Sequence, residues 1–212
     1  FDWRLNWGVC IDPAAMRLAI VEELARRGVR LLLGSCVQGA AVAAGRLAAV
    51  EIVQRQGRVR LDGDVFVDAS GDGTLAVLAG ATCDQAPGGA LQPVSLTFRM
   101  GQVDLPLLMR FIRDNPGEFM LAESPLIDKS AAECVQEIYR SGLPFVPLTA
   151  KGPLLGGAIA RGDVAPCTGI FMWPTSLPRR EVGLNMTRLA GVDATDNGAW
   201  SAALPALARQ VE

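Results

Sequence analysis

Short polar residues and glycines between two apolar runs are the first candidates for chemistry in this chain. Ser70-Gly71-Asp72-Gly73 follows the run at 65–67 and precedes the run at 75–78. The first run predicts a buried strand, and the four residues predict a sharp turn that caps a helix. Such a helix start presents main-chain N–H groups and a positive dipole end, which attract phosphates and polyols. The same pattern also fits an ordinary strand-turn-helix corner without a ligand.

Asn185 and Arg188 form the second candidate group, because both polar side chains belong to one predicted strand at 180–189. The guanidinium of Arg188 could bind a carboxylate through two parallel hydrogen bonds. A salt bridge on a solvated strand is the alternative for Arg188, and Arg99 is a weaker candidate of the same kind. The strand therefore offers an amide and a cation as binding groups, and it identifies no catalytic residue.

The residue types restrict the chemistry further. The chain has no histidine, which excludes histidine proton shuttles and triads. Five cysteines lie scattered without a C-x-x-C pair, at positions 10, 36, 83, 134 and 167. This pattern predicts reduced thiols rather than disulfides, and no metal site.

Composition and charge narrow the class of protein. The 212 residues are 50% hydrophobic, enough for a sizeable core, and the net charge is −2. No basic run suggests nucleic acid as a partner, and no apolar segment approaches the roughly 18 residues of a membrane span. The first residues lack the features of a signal peptide. We therefore expect a soluble, cytoplasmic protein.

Periodicity predicts the elements of the first half. A helix begins at Asp12-Pro13 and ends near Gly28, with one buried face that includes Met16, Ile20 and Leu24. Strands follow at 29–33 and 36–42. Turn signals then separate short β-prone runs at 47–54 and 58–61, which predicts a β-meander that returns to the main sheet.

The second half reads as strands and helices in alternation. We predict a strand at 94–100, helices at 105–113 and 130–140, and strands at 167–173 and 180–189 that are joined by a wide loop. A final helix begins at Thr195 or Asp196. The Pro- and Gly-rich stretch 144–157 predicts a surface loop, with an active-site lid as the alternative.

Two sequence signatures carry a family resemblance. Val67-Asp68-Ala69-Ser70-Gly71-Asp72-Gly73 and the residues up to Ala81 fit the pattern D-A-S/T-G-D-G-x-L-A-x-x-A-G-A after a hydrophobic residue. Residues 182–196 fit V-x-L/V/I-N-x-T/S-R-x-x-G-x-D-A/P-T-D. With both signatures in this order, the chain resembles FAD-dependent oxidoreductases related to the glutathione reductase and succinate dehydrogenase flavoproteins.

The resemblance implies a fold and two domains. The fold class would be α/β (α+β), as part of a two-lobed FAD-binding oxidoreductase. Residues 1–90 would form a partial FAD-binding domain with the β-meander. Residues 91–212 would form a partial substrate-binding or cap domain, with a mixed or antiparallel sheet and helices.

The resemblance also implies roles for particular residues. Ser70, Gly71, Asp72 and Gly73 would contact FAD, with Asp72 accepting from a ribityl or ribose hydroxyl and main-chain N–H groups near the pyrophosphate. The segment around Val37 would contact the adenine, and the less favoured alternative is that Val37 is only sheet core. Asn185 and Arg188 would face the substrate.

The sequence lacks other parts of the family pattern. It contains no G-x-G-x-x-G motif and does not begin with methionine, and it ends before the segment where the family returns to the flavin again. We therefore expect the central fragment of a longer FAD-dependent oxidoreductase, acting on an unknown small molecule that could carry a carboxylate. The isolated fragment should bind FAD weakly or not at all and be inactive.

Two other classes of function remain to be weighed. The first is a non-catalytic binding or assembly module, which would form homo-oligomers because truncation exposes apolar sheet surface. An NAD-binding Rossmann domain fits less well, since the glycine loop follows a meander and its expected acidic partner has no counterpart.

Overall fold

The computed structural model describes residues 10–87, 91–121, 128–141 and 145–212. These residues fall into two compact units, one of which, Val21–Pro87, we call the meander unit. The other, the α+β unit, holds the described residues before Val21 and those from residue 91 onwards. The predicted domain boundary, between residues 90 and 91, adjoins residues 88–90, which are outside the described residues. That the first predicted domain binds FAD and the second binds the substrate stays a prediction.

The meander unit is built on an antiparallel three-stranded sheet in the order β1-β2-β3. The strands are β1 (Cys36–Ala43), β2 (Arg46–Gln54) and β3 (Gly57–Asp62). Alternate residues Val50 and Ile52 of β2 are buried against Leu75 of the short helix α2 (Thr74–Leu78). The predicted meander is confirmed, although in the described residues its sheet is separate and joins no larger one.

Two predicted strands of this unit are wrong. Residues 29–33 and 65–67 have no strand structure, and Leu33, Val65 and Val67 are 81%, 83% and 85% exposed. Composition favours an extended conformation in both segments, but a strand also needs a neighbour, and no described strand pairs with either segment. Only Phe66 of the 65–67 run packs against the meander core.

Helix α1 (Pro13–Arg26) begins where the sequence predicts, and it spans the division between the two units. The Asp12 carboxylate accepts hydrogen bonds from the N–H groups of Ala14 and Ala15 at 2.9 and 3.4 Å. The predicted buried face is wrong, however, since α1 has no buried residue. Its apolar stripe meets no covering element among the described residues, so periodicity alone did not determine burial.

The α+β unit contains an antiparallel four-stranded sheet in the order β4-β7-β6-β5. These strands are β4 (Phe98–Met100), β5 (Leu148–Thr149), β6 (Gly169–Ser176) and β7 (Glu181–Asn185). The predicted wide loop between β6 and β7 is wrong. Strand β6 continues through Pro174 at a bulge, and the Arg180 N–H donates to the Leu177 carbonyl in a tight turn at 3.1 Å.

Four helices accompany this sheet within the described residues of the unit. They are α3 (Leu105–Asp114), α4 (Ala131–Ser141), α5 (Pro153–Arg161) and α6 (Asn197–Arg209). Side-chain caps begin three of them near the predicted positions: Asp104 for α3, the Ser130 and Glu133 pair for α4, and Asp196 for α6. Buried side chains of α3 and α4 pack with Phe119 and Val146 in one core, and Leu105, Val182 and Leu184 form another.

The predicted surface loop at 144–157 is wrong in both halves, because β5 lies within it and α5 begins at Pro153. The Glu118 carboxylate accepts a hydrogen bond from the Leu154 N–H at 2.9 Å, and Leu155 is buried. Glycines and a proline do not prevent this helix, since Pro153 lies at its first turn, where no N–H is needed. Position 144 lies outside the described residues.

The predicted fold class is confirmed, because the structure is a mixed α+β arrangement of helices and two antiparallel sheets. All five cysteines are free thiols, as predicted. No helix within the described ranges is both long and apolar enough to cross a bilayer.

Candidate functional site

The loop before α2 is organised by Asp68. Its two carboxylate oxygens accept hydrogen bonds from the N–H groups of Ser70 (3.0 Å) and Ala76 (3.1 Å). The Ser70 hydroxyl in turn accepts from the Thr74 N–H at 2.9 Å. Side chains of the loop therefore satisfy the first main-chain donors of α2. Sequence reasoning missed this role of Asp68, whose signal was its position two residues before Ser70.

Electrostatics support the same arrangement. The pKa of Asp68 is lowered, first by the hydrogen bond from the Ser70 hydroxyl and then by the main-chain N–H groups of Ser70 and Ala76. The carboxylate is thus the form that the loop stabilises.

The next residues leave main-chain donors exposed. Gly71 and Gly73 adopt left-handed conformations, with φ of 89° and 68°, and a Cβ built on either glycine would meet no atom within 4 Å. In the part of the chain that the structure describes, no acceptor binds the N–H groups of Gly71, Asp72 and Gly73. The Asp72 side chain is exposed as well. The predicted residues therefore form an open loop with free donors and one carboxylate.

Val37 lies in β1, next to the core that Val50, Ile52 and Leu75 form in the meander unit. It is half-buried, packs against the meander core, and pairs in register with Ile52 of β2. A register shift between Val37 and Gly39 leaves Gln38 without a partner residue in β2. The structure thus places the Val37 side chain in the core and an irregular main chain directly after it.

The two predicted substrate residues line one cavity of about 170 Å³ in the α+β unit, which we call the Arg188 cavity. Asn185 is the last residue of β7, and Arg188 follows three positions later. The remaining lining residues are Pro93, Ser95, Cys167, Gly169, Phe171, Met186 and Thr187. Asn185 and Arg188 therefore belong to the same site.

Arg188 is held by contacts that sequence reasoning did not find. Its N–H donates to Oε1 of Gln210 at 2.7 Å, and Nε2 of Gln210 donates to the Arg188 carbonyl at 3.0 Å. Nη1 of Arg188 donates to Oγ1 of Thr168 at 3.2 Å. Gln210 directly follows α6, and no local sequence signal relates Gln210 to residue 188. A side-chain amide thus binds Arg188 as a neighbouring strand would.

Thr187 fixes the same segment from the other side. Its Oγ1 accepts a hydrogen bond from the Leu96 N–H at 2.7 Å and lies 3.0 Å from the Leu96 carbonyl, to which it donates. Leu189 forms a β-bridge with Val94. Residues 187–189 are therefore bound on two sides, which gives Arg188 a defined main-chain position.

Cys167 lies in this cavity as a protonated thiol. Burial raises its pKa, while the Gly169 N–H and the charge of Arg188 act in the opposite direction. The weaker candidate Arg99 is engaged elsewhere, in an ion pair of 3.4 Å with Glu181. No cluster of cysteine and carboxylate groups suitable for a metal ion occurs within the described residues.

The open glycine loop and the Arg188 cavity are thus the two candidate sites of this α+β structure. Residues 1–201 match the family model described as FAD dependent oxidoreductase, and the chain belongs to this family. Comparisons with curated proteins and with solved structures give no significant match.

Proposed function

We propose that this protein is an FAD-dependent oxidoreductase in which the meander unit contacts the flavin nucleotide and the α+β unit contacts a small-molecule substrate. The observation that carries the proposal is the open run of main-chain donors at Gly71, Asp72 and Gly73 in a chain of this family. When bound, FAD would supply the hydride-transfer chemistry, and the protein would orient cofactor and substrate.

Each residue of the loop fits one part of such a cofactor. The N–H groups of Gly71 and Gly73 suit a pyrophosphate, because both positions have left-handed φ and no Cβ, which permits close approach of an anion. The exposed Asp72 carboxylate would accept a hydrogen bond from a ribityl or ribose hydroxyl. Ser70 would act by shaping the loop, since its hydroxyl already binds Thr74 and Asp68. The main chain around Val37 would approach the adenine.

The substrate residues would act in the other unit. Arg188 supplies a positive charge with a fixed main-chain position, and Asn185 supplies an amide in the same cavity. These groups would orient the substrate rather than transfer protons, and no residue is assigned as a catalytic acid or base.

The proposal is tested by the flavin content of the polypeptide that the whole gene encodes. We expect that protein to copurify with FAD. Gly73→Ala should weaken FAD binding roughly tenfold, because alanine disfavours this φ by about 1–2 kcal/mol and shifts the loop away from the conformation that would bind. Gly101→Ala is the matched control, since a Cβ there also meets no atom within 4 Å and no left-handed φ is required.

The outcome that would overturn the proposal is a folded, full-length protein that neither contains FAD nor takes it up on reconstitution. The 212-residue chain has no G-x-G-x-x-G motif, and we expect it to lose FAD on gel filtration and to show no turnover.

The assembly module is the second candidate, favoured by the exposed Leu33, Val65 and Val67. It predicts homo-oligomers of the 212-residue chain and a full-length protein without flavin, which light scattering and absorbance of the same samples would reveal. The cytoplasmic location also stays a prediction.

A further inference from the structure

Within the described parts of the chain, the charge of Arg188 has no acidic side chain as a partner. The residue is half-buried, and no described carboxylate lies within ion-pair distance of its guanidinium. Thr168 accepts only one hydrogen bond from Nη1, through a neutral hydroxyl. A half-buried cation without an acidic neighbour favours an anion at the remaining donors.

The other lining groups leave this positive charge uncompensated. Ser95, Asn185 and the Cys167 thiol are neutral, and no Asp, Glu or Lys lines the cavity. The hydroxyl of Thr187 is already bound to Leu96 on both its donor and acceptor sides. One cation with a few neutral donors matches a singly charged anion better than a phosphate dianion, which usually needs several donors or a second cation.

The size of the cavity limits the ligand. About 170 Å³ is close to the roughly 150 Å³ of an apolar protein cavity that takes up benzene. The part of a ligand that enters should therefore have about six non-hydrogen atoms, or slightly more. Ser95 and Asn185 give it polar walls as well as the apolar ones of Phe171 and Met186.

We propose that the Arg188 cavity binds a small monocarboxylate that carries a neighbouring hydroxyl or carbonyl oxygen, with the carboxylate on Arg188 and the second oxygen near Asn185 or Ser95. This inference rests on the proposed function and deepens it, because it assigns the chemical class of the substrate. The substrate would contain such a group as its recognised end.

Binding without flavin tests the inference separately from the redox activity. Saturation-transfer NMR on the 212-residue chain would compare lactate with lactamide and glycolate with glycolamide, each pair alike in size but different in charge. We expect the acids to bind roughly tenfold more tightly than the amides, as loss of a charged hydrogen bond implies. Equal binding within both pairs, or no binding of either acid, would overturn the inference.

Variants locate the binding at Arg188. Arg188→Met should abolish the preference for the acids, and Arg188→Lys should reduce it because the planar fork is lost. Arg110→Met is the matched control, since Arg110 is exposed on α3 and outside the cavity. Retained preference for the acids in a folded Arg188→Met variant would contradict the assignment. A flavin-free full-length protein that still binds the acids would overturn the proposed function alone.

Discussion

A single carboxylate, that of Asp68, determines which main-chain donors of the glycine loop remain available. It binds the N–H groups of Ser70 and Ala76, while Ser70 binds that of Thr74. The donors at Gly71, Asp72 and Gly73 are consequently the ones left for a ligand. Asp68 therefore shapes the loop of the candidate FAD site.

Replacing Asp68 with asparagine should make the stability of the meander unit less dependent on pH. The folded pKa of Asp68 is lowered, so its carboxylate contributes stability above the unfolded pKa of about 4 and loses that contribution as the pH falls through the lower folded value. We expect Asp68→Asn to lower the melting temperature at about pH 7, with a difference that shrinks towards about pH 3.

Asp72→Asn is the control for this prediction, because Asp72 lies in the same loop and its carboxylate accepts no hydrogen bond from the described residues. Its melting temperature without flavin should equal that of the wild type at both pH values. A pH-independent difference between Asp68→Asn and wild type would argue against the carboxylate as the cause.

At the level of elements, the segment that follows β7 is positioned by hydrogen bonds from side chains. In a sheet, main-chain groups of a neighbouring strand would form these hydrogen bonds. The Gln210 side chain binds both the N–H and the carbonyl of Arg188. The Thr187 hydroxyl likewise binds both the N–H and the carbonyl of Leu96. The end of α6 and the segment before β4 thus fix the same three residues. This arrangement makes Gln210 a positioning residue for Arg188.

Gln210→Ala should destabilise this segment, because two hydrogen bonds of about 0.5–1.5 kcal/mol each are lost. We expect faster hydrogen exchange of the Arg188 amide, weaker lactate binding, and a free energy of unfolding lower by about 1–3 kcal/mol. Gln210→Glu keeps an acceptor for the Arg188 N–H and removes the donor to its carbonyl, so it should give an intermediate exchange rate. An unchanged exchange rate in Gln210→Ala would refute the positioning role.

At the scale of the whole molecule, each unit has a hydrophobic core of its own. Val50, Ile52 and Leu75 form the core of the meander unit, whereas Ile112 and Val135 belong to a core of the α+β unit. The candidate FAD residues lie in the first unit and the candidate substrate residues in the second. The two candidate sites can therefore be perturbed separately by substitutions in the two cores.

Core substitutions should act locally. Ile52→Ala and Ile112→Ala each remove a buried side chain and should cost about 2–5 kcal/mol. Hydrogen exchange followed by mass spectrometry should show lost protection at 36–62 for Ile52→Ala and at 105–121 and 128–141 for Ile112→Ala, with each variant serving as the control for the other. Loss of protection in both regions from either variant would show that the two cores unfold together.

The sequence by itself determined the features whose causes lie within a few residues. Asp12, Asp104, Ser130 and Asp196 bind N–H groups two or three positions ahead, so these helix starts were predictable. Glycine-marked turns and alternating apolar residues predicted the meander for the same reason. The two signatures also gave the family, and they singled out Asn185 and Arg188 as a pair.

Tertiary structure decided whatever depends on distant residues. The segments 29–33 and 65–67 have β-prone sequences but no described partner strand, while α5 begins beside Glu118, 36 residues before Leu154. Gln210 reaches Arg188 across 22 positions. Strand pairing, burial and such side-chain contacts depend on which segments meet in space, and local propensity carries no information about that meeting.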